Sequence, residues 1–498
     1  MNRQVFNPFL PLSEYIPDGE VHVFGNRAYL FGSHDRERGD TYCMLDYVSW
    51  SAPVSDLSDW KCSGTVYSAC QDPLYGENMR YLYAPDAVQG NDGRFYLYYC
   101  MAGRRGRGGY STPVSVAVCD RPDGRYEYLG IVRNPDGTPL TRYICFDPAV
   151  INDNGTIRLY YGTDYPWFDR IPRIARETAI HIMSGRTRSE IRAVPEGIMG
   201  AYHVELEDDM LMAKTAPKRI DRTIQGASYK KHSFFEGASI RKIHDTYYLL
   251  WSSIKNHELC YAVSKQPDSG FIYGGTIIST GDVGYHNRAE RDRVNHTGNT
   301  HGCIECVGGQ WYVFYHRLTH NSDYSRQACA ESISIAADGR IEQVEVTSCG
   351  LNQGPLKASG TYPAAICCNL TNGKMKHGSN RRRKSKEPCV TSSGEERYIT
   401  GIKDKTLAGF KYFDFHGRTK VSVRCRGSQG TLVIMTYPAQ PPLAVITLSE
   451  NCQWNCSAQA EFSVTGTNPL FFQYRGKGTI EMLNFTLEGE NESCTAQV

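Results

Sequence analysis

The chain has 498 residues, of which 40% are hydrophobic and 22% are charged, and this length predicts two or three domains with substantial cores. Its 55 basic and 53 acidic residues leave a formal charge of +2, which argues against a nucleic-acid partner or an anionic membrane surface recognised through net charge. Aromatic residues at 11%, together with 47 glycines, favour strands and turns. We therefore predict a mostly β protein.

The N-terminal segment, residues 1–11, lacks the apolar run of a signal peptide, and no stretch of about 18 apolar residues follows. We expect a cytoplasmic protein with no membrane partner. The 18 cysteines are spread through strand-like segments. Two close pairs, 303/306 and 452/456, have no second pair nearby to complete a four-ligand metal site. All are expected to be free thiols in a reducing compartment.

One short aromatic and aliphatic pattern recurs five times in the first 350 residues. Its central aliphatic residues are separated by 67, 62, 90 and 64 residues, so the third interval carries an insertion. Further strand-like runs flank each copy and indicate about four strands per repeat. Five such units that close on themselves form a five-bladed β-propeller, which we predict for residues 1–350. The copies are residues 26–33, 93–99, 155–162, 245–252 and 309–316.

Each repeat also carries one ionisable residue 11 to 13 positions before its central aliphatic residue. The first strand of each propeller blade lines the central axis, so these side chains are expected to converge there. Taken singly, each is equally typical of a turn, a strand cap, a structural histidine or a residue that fixes a loop. The shared register favours a functional role. The five residues are Asp18, Asp86, Asp147, Glu236 and His301.

Converging carboxyl groups are typical of glycoside hydrolysis. One carboxylic acid protonates the departing oxygen while a carboxylate activates water or attacks the sugar, and a third carboxylate raises the pKa of the acid. Aromatic side chains at the mouth of such a site would stack on sugar faces, although ordinary core packing is the alternative. The candidates are Trp50, Tyr83 and Trp167.

These residues, in order, resemble glycoside hydrolase family 43. The resemblance covers roughly residues 5–350 and rests on the opening 7–11 segment, on Tyr-Ala-Pro-Asp at 83–86, on Phe-Asp-Pro-Ala-Val at 146–150, on Phe-Glu-Gly-Ala-Ser-Ile at 235–240 and on Thr-His-Gly at 300–302. It implies a five-bladed propeller that releases α-L-arabinofuranose or β-D-xylose with inversion. Two departures are an Asp-Gly pair at 18–19, where the family commonly has Asp-Pro, and a tyrosine at 83, where tryptophan is common.

The resemblance further implies Asp18 as general base, Glu236 as general acid and Asp147 as the group that raises the pKa of the acid. It implies no organic cofactor, and it places His301 beside an axial calcium or sodium ion. Residues expected to contact the oligosaccharide substrate are His34, Asp35, Trp50, Tyr83 and Asp86.

After residue 350 the repeat ends. Residues 351–397, which include a basic run at 381–386, are interpreted as a linker. Strand signals return at 398–498 with spacing typical of a β-sandwich, and this segment resembles the jelly roll of carbohydrate-binding module family 6. Its only tryptophan is Trp454, so bracing of the propeller is favoured over sugar binding.

The leading hypothesis is thus an exo-acting, inverting α-L-arabinofuranosidase or β-xylosidase. Two alternatives remain at this stage. One is a retaining glycosidase of a related five-bladed family. The other is a catalytically silent propeller that binds sugars or proteins, because a fold does not determine a function; three carboxyl groups in register argue against it.

Overall fold

The structure is a computed structural model that describes residues 4–320, 322–378 and 387–489. Within these ranges the protein is all-β, with five small antiparallel sheets and one large C-terminal sheet. No helix in the described ranges is long and apolar enough to cross a membrane.

The five small sheets are the five predicted blades, and in each the strands pair in chain order. Blade 1 holds β1 to β4, namely Glu20–Phe24, Arg27–Phe31, Tyr47–Pro53 and Lys61–Tyr67. Blade 2 holds β5 to β8, namely Tyr81–Gln89, Phe95–Ala102, Ser115–Cys119 and Glu127–Ile131. Blade 3 holds β9 to β12, namely Ala149–Asp153, Thr156–Thr163, Gly200–Leu206 and Lys218–Arg219. Blade 4 holds β13 to β16, namely Phe234–Ile243, Thr246–Ser253, Glu258–Ser264 and Ile272–Ser279, and blade 5 holds β17 to β19, namely Cys303–Val307, Gln310–Leu318 and Arg326–Ile333.

The repeated sequence pattern forms the second strand of every blade. This strand pairs with a neighbour on each side and packs against adjacent blades on both faces, so its residues are almost all buried, as in Phe95–Ala102. Near-continuous apolar runs of this kind are expected for strands without a solvent face. Each copy of the repeated pattern in the sequence therefore corresponds to one blade.

The ring closes between blade 5 and blade 1. Gly19 forms a parallel bridge with Gly302. The N-terminal segment runs along β19, where the Phe9 N–H donates to the Ala328 carbonyl oxygen at 3.2 Å and the Asn7 side-chain amide donates to the Ala330 carbonyl oxygen at 2.8 Å. Blade 5 thus has three strands of its own in the described chain instead of the predicted four, because the N-terminal segment occupies the place beside β19.

The long third interval is a helical insertion between β10 and β11. It contains α1, Arg173–Ser184, and α2, Arg188–Arg192. Helix α1 ends at Gly185, which adopts the left-handed conformation, and α2 begins with a capping box formed by Thr187 and Glu190. The described 3₁₀ helices are Ala69–Gln71, Arg104–Gly106, Gly109–Ser111, Pro166–Arg170, Asp221–Thr223, Tyr229–Lys231, Tyr285–Asn287, Glu290–Asp292, Gly350–Asn352 and Ala364–Ile366.

The C-terminal domain is a ten-stranded sheet with its own buried core. Its two longest strands, β25 and β28, pair along most of their length. The jelly-roll topology and the likeness to a carbohydrate-binding module stay predictions. The strands β20 to β29 are Leu356–Lys357, Ser359–Pro363, Asn369–Thr371, Cys389–Ser393, Glu396–Ile402, Leu407–Gly427, Gly430–Met435, Ala444–Leu448, Asn451–Arg475 and Ile480–Gly489.

The predicted linker 351–397 was wrong over most of its described length. Strands β20, β21 and β22 pair with β25 and β29, and β23 pairs with β24. These strands are two to five residues long, too short for a clear alternation of apolar and polar residues. The basic run at 381–386 lies outside the described residues.

Candidate active site

The five ionisable residues in register lie at the inner end of their blades. Asp18, Asp147 and His301 each stand two residues before the first strand of a blade, whereas Asp86 and Glu236 lie within β5 and β13. The first strands of neighbouring blades contact one another and so surround the axis, as predicted.

Two of the carboxyl side chains lie beside His301, and the residue that follows Glu236 binds one of them. The Nδ1 atom of His301 lies 4.0 Å from Asp18 Oδ1 and 3.9 Å from Asp147 Oδ2. The N–H of Gly237, the residue after Glu236, donates to Asp147 Oδ2 at 3.0 Å. The structure therefore brings Asp18, Asp147 and Glu236 together, although they are far apart in the sequence.

Two of the carboxylates stand on residues with an unusual backbone conformation, which sets their orientation. Asp18 and Asp147 have φ angles of 57° and 46°, in the left-handed region. Aspartate tolerates this region better than most residues, and such conformations concentrate at functional sites where the surroundings enforce them. At Asp18 the enforcing contact comes from His316, whose Nδ1 accepts the Asp18 backbone N–H at 3.1 Å.

Arg326 is a site residue that the sequence analysis missed. Its Nη1 donates to Asp18 Oδ1 at 2.8 Å, while its Nε and Nη2 bind the two oxygens of Asp35 at 2.9 and 3.0 Å. Burial, the largest single influence, would raise the pKa of Asp18, but Arg326, His316, His301 and a hydrogen bond from Ser33 together hold that pKa below its usual value. Asp18 is thus a carboxylate at neutral pH.

His316 contributes to this site as a neutral group. Its Nε2 lies 3.0 Å from the Asn299 carbonyl oxygen, which can only accept, so Nε2 carries the proton and Nδ1 is free to accept from Asp18. Burial lowers the pKa of His316 to about 3. The positive charge beside Asp18 therefore comes from Arg326 at neutral pH.

The pKa values of Asp147 and Glu236 are raised, in contrast to that of Asp18. Burial, followed by the charge of Asp18, raises the pKa of Glu236 to about 8. Burial and then the charge of Glu236 also raise the pKa of Asp147, although the N–H of Gly237 works against this. Two carboxyl groups that interact in a poorly hydrated site hold a proton that an exposed pair would lose. The site therefore has an ionised carboxylate on one side and a protonated acid on the other.

Aromatic residues stand behind the Asp147 and Glu236 positions. The ring centroid of Phe146 lies 5.0 Å from that of Tyr110, and the centroid of Phe235 lies 5.1 Å from that of Tyr165. The two tyrosine hydroxyls are 2.9 Å apart. Trp167, a candidate from the sequence, follows on the helical insertion with its ring centroid 4.8 Å from that of Tyr165, and it is 43% exposed. The helical insertion thus adds aromatic side chains next to Phe235, the residue that precedes Glu236.

Two predicted substrate contacts are buried aromatic residues. Trp50 lies in the apolar cluster shared by blades 1 and 5 and packs between strands there. Tyr83 is also buried, with its ring centroid 6.0 Å from that of Phe146, the residue before Asp147. Contact of either residue with the substrate stays a prediction, because an aromatic residue in a blade strand and one at the mouth of a site look alike in sequence.

Asp86 is a structural link between blades and not a substrate contact. It is fully buried; His22 Nε2 lies 2.6 Å from its Oδ1, and the backbone N–H groups of Ala87 and Val150 donate to it at 2.7 Å each.

We expect Asp86→Ala to lower the free energy of unfolding by about 3 kcal/mol, since bonds to a buried charged group are lost. Chemical denaturation checks this, and an unchanged KM separates a structural role from substrate binding.

The remaining two predicted contacts lie on the loop after β2. Asp35 is buried and bound to Arg326 on both oxygens, so it acts on the site through Arg326 and does not reach the substrate. His34 is partly exposed; its Nδ1 lies 2.9 Å from the Asp46 carbonyl oxygen and its Nε2 lies 3.7 Å from Glu14. Of the five predicted contacts, His34 is the one that the structure leaves accessible.

Comparisons with known proteins agree with this geometry. Residues 6–341 match the family described as glycosyl hydrolases family 43. The chain belongs to this family. A xylosidase/arabinosidase of Thermoclostridium stercorarium is 39% identical over 98% of this chain and 99% of its own length. Another xylosidase/arabinosidase, from Bacteroides ovatus, is 27% identical over 68% of this chain and 97% of its own.

The fold agrees as well. The crystal structure of a family 43 enzyme of Xanthomonas citri in complex with xylose has a TM-score of 0.52 at 24% identity, covering 69% of this chain and 93% of that enzyme. This likeness confirms the five-bladed propeller. As a member of family 43, the protein is a glycoside hydrolase, which excludes the catalytically silent module among the alternatives.

Proposed function

We propose that this family 43 protein is an exo-acting, inverting hydrolase that releases terminal α-L-arabinofuranosyl or β-D-xylosyl residues from plant-derived oligosaccharides. The observation that carries the proposal is the contrast in the surroundings of two carboxyl groups in one site: Arg326 donates to Asp18, whose pKa is lowered, whereas burial and the charge of Asp18 raise the pKa of Glu236 to about 8. The names of the relatives that match along nearly their whole length support the choice of sugar.

In this mechanism each carboxyl group has one task. Asp18 takes a proton from a water molecule as the water oxygen bonds to the anomeric carbon. Glu236 gives its proton to the departing oxygen as the glycosidic bond breaks, and the configuration inverts. Burial and the charge of Asp18 keep the pKa of Glu236 high, and Asp147, by accepting the N–H of Gly237, holds the backbone beside Glu236. Proton exchange with solvent then restores both groups.

These protonation states predict a bell-shaped pH dependence of kcat/KM. Activity needs ionised Asp18, whose pKa is lowered, so the acid limb should lie below the usual range for an aspartate. Activity also needs protonated Glu236, so the basic limb should lie near pH 8. Initial rates on an aryl β-xyloside from pH 3 to 10 measure both limbs. A rate that still rises above pH 9 would contradict the assignment of Glu236.

The substrate class is tested by product analysis. Aryl β-D-xylopyranosides and α-L-arabinofuranosides, short xylo-oligosaccharides and arabinoxylan are incubated with the protein, and the products are separated by chromatography. We expect monosaccharide from the first time points. Oligosaccharides of intermediate length from arabinoxylan would contradict the exo mode, and calorimetric binding of these sugars without hydrolysis would contradict their assignment as substrates.

We also propose that an axial cation stabilises the propeller. Glu20 Oε1 and His301 Nε2 are buried and have no hydrogen-bond partner among the described residues. A carboxylate oxygen suits a hard cation such as calcium, and ligand atoms of Glu20, His22 and Asp86 lie within 4.8 Å of one another. The site fits such an ion, with Glu20 as the direct ligand and His301 facing it through water. A fall in melting temperature on chelation, reversed by calcium, tests this.

We propose that the C-terminal domain braces the propeller and does not bind sugar. Trp454 is the aromatic that a binding face would use, but the guanidinium of Arg426 lies 4.2 Å from its ring centroid, and its Nε1 donates to Glu396 at 2.7 Å. The ring face is therefore engaged within the domain. An unchanged affinity for xylo-oligosaccharides in Trp454→Ala would agree with this, and weakened binding would contradict it.

A cytoplasmic location also stays a proposal. Cys62, Cys70 and Cys452 are free thiols on the surface of the described chain. Free exposed thiols persist in reducing compartments. Fractionation of the source cells tests the location.

A further inference from the structure

We propose that one hairpin of the C-terminal domain, formed by β23 and β24, positions the catalytic base of the propeller. The hairpin holds two propeller loops, and each loop carries one partner of the pair formed by Asp35 and Arg326. The inference rests on the role of Asp18 proposed above and assigns the C-terminal domain a part in the chemistry.

The first step is the dependence of Asp18 on its neighbours. Arg326 presents Nη1 to Asp18 while Asp35 fixes the guanidinium through Nε and Nη2. Asp35 also accepts the Cys43 backbone N–H at 2.8 Å. A guanidinium is planar, so fixing two of its nitrogens fixes the direction of the third. The position of Asp35 therefore sets the contact made with Asp18.

The second step is the anchoring of the Asp35 loop. Glu37 Oε2 accepts from Arg397 of β24 at 3.2 Å, and Glu37 Oε1 accepts from the Tyr15 hydroxyl at 3.2 Å. Arg38 donates to the backbone oxygen of Ser392 in β23 and to its hydroxyl. Two residues that follow Asp35 by two and three positions are thus tied to the hairpin.

The third step is the anchoring of the Arg326 loop. Arg326 is the first residue of β19, and residues 319–325 connect it to β18. The Val390 N–H of β23 donates to the Thr319 carbonyl oxygen at 3.0 Å, and the Thr391 hydroxyl lies 3.3 Å from His320 Nε2. Consecutive residues of β23, from 390 to 392, therefore hold both loops at once.

The place of the hairpin in its own sheet agrees with this role. Strand β23 lies at one end of the strand order in the C-terminal sheet. One of its edges is therefore not paired along this order and can bind other backbone groups. The Glu37–Arg397 pair is also better shielded than an ordinary surface pair, since its side chains are 23% and 12% exposed. A partly buried ion pair is worth more than the small contribution of an exposed one.

Loss of this anchoring has a measurable consequence. If the loops relax, Arg326 holds Asp18 less closely, and the carboxylate of Asp18 departs from the position in which it takes a proton from water. The chemical step then slows while the sugar still binds, so kcat falls and KM does not change. General loss of structure gives a different pattern, in which the melting temperature falls and both constants change.

The experiment therefore compares Glu37→Gln, Arg397→Gln and the double variant in the full-length protein. We expect kcat at neutral pH to fall about threefold or more in both single variants with KM unchanged. Arg397→Lys, which keeps the positive charge opposite Glu37, should recover most of this loss. The double variant should lose no more activity than either single variant, because each single substitution already breaks the same contact between Glu37 and Arg397.

Two controls separate positioning from general damage. Glu461→Gln breaks the exposed pair with Arg418 in the same domain and should leave kcat unchanged. Arg38→Gln removes a second anchor at an exposed position and should lower kcat as Glu37→Gln does, which keeps the test informative if one variant folds poorly. Melting temperatures identify loss of fold.

A wild-type kcat in Glu37→Gln, Arg397→Gln and the double variant would overturn the inference, and so would a loss that appears in KM alone. These outcomes leave the proposed function intact as long as Asp18→Asn is inactive. Full activity of Asp18→Asn would instead refute the proposed function, whatever the anchor variants do.

Discussion

Asp18→Asn is expected to lower kcat/KM on an aryl β-xyloside or α-arabinofuranoside by about three orders of magnitude, within the range that general base catalysis supplies. The amide cannot take a proton from water at neutral pH. It has nearly the shape of the carboxylate, and its oxygen can still accept from Arg326 Nη1, which lies 2.8 Å from Asp18 Oδ1. The loss should therefore appear in kcat, with an unaltered circular dichroism spectrum.

Two measurements show that this loss is one of proton transfer. Azide needs no deprotonation, so added azide should restore turnover of the Asp18→Asn variant and yield a glycosyl azide of inverted configuration. Asp120→Asn changes a carboxylate that is 84% exposed on blade 2 and should be neutral. Activity of Asp18→Asn within tenfold of the wild type would contradict the assignment of the base.

Glu236→Gln is expected to have an effect that depends on the leaving group. For a xylo-oligosaccharide, whose departing alkoxide needs a proton, kcat/KM should fall by about 10³ to 10⁴. For a dinitrophenyl glycoside, which leaves as a stable phenolate, the loss should be about tenfold or less, and the basic limb near pH 8 should vanish. An equal loss on both substrates would contradict the role of Glu236 as the general acid.

The same variant should stabilise the fold above pH 5. Burial and the charge of Asp18 raise the pKa of Glu236 to about 8. A carboxyl group with a raised pKa favours folding below its unfolded pKa, and that contribution is lost as the pH rises through the folded pKa. Glutamine avoids this loss, so the melting temperature at pH 8 should rise by about 2 °C or more. At pH 4 the two proteins should melt at nearly the same temperature.

The propeller could be predicted because its signal is distributed over the chain. The second strand of each blade has neighbours on every side, so five nearly apolar runs recur at similar spacing. The register of Asp18, Asp147 and Glu236 followed from the same period, because equivalent positions in successive blades face the axis. Insertion helices and a three-stranded fifth blade were missed, since the pattern reports only the buried strand.

Contacts between distant segments could not be predicted. Arg326 opens a strand like many other arginines, and nothing in its neighbourhood shows that Asp18 and Asp35, some 300 residues earlier, share its guanidinium. Asp86 has the same local appearance as a site residue, yet its bonds to His22 and Val150 link blade 2 to blades 1 and 3. The burial of a charged group and the identity of its partners are properties of the folded chain.

The anomeric form of the first product provides the decisive test of the mechanism. The protein hydrolyses an aryl β-xyloside in a proton NMR tube, and the anomeric signals of free xylose are followed before mutarotation equilibrates them. Attack by a water molecule activated by Asp18 predicts that α-xylose appears first and that the β anomer grows in later. Initial appearance of β-xylose would show a covalent intermediate and would contradict Asp18 as the base that activates water.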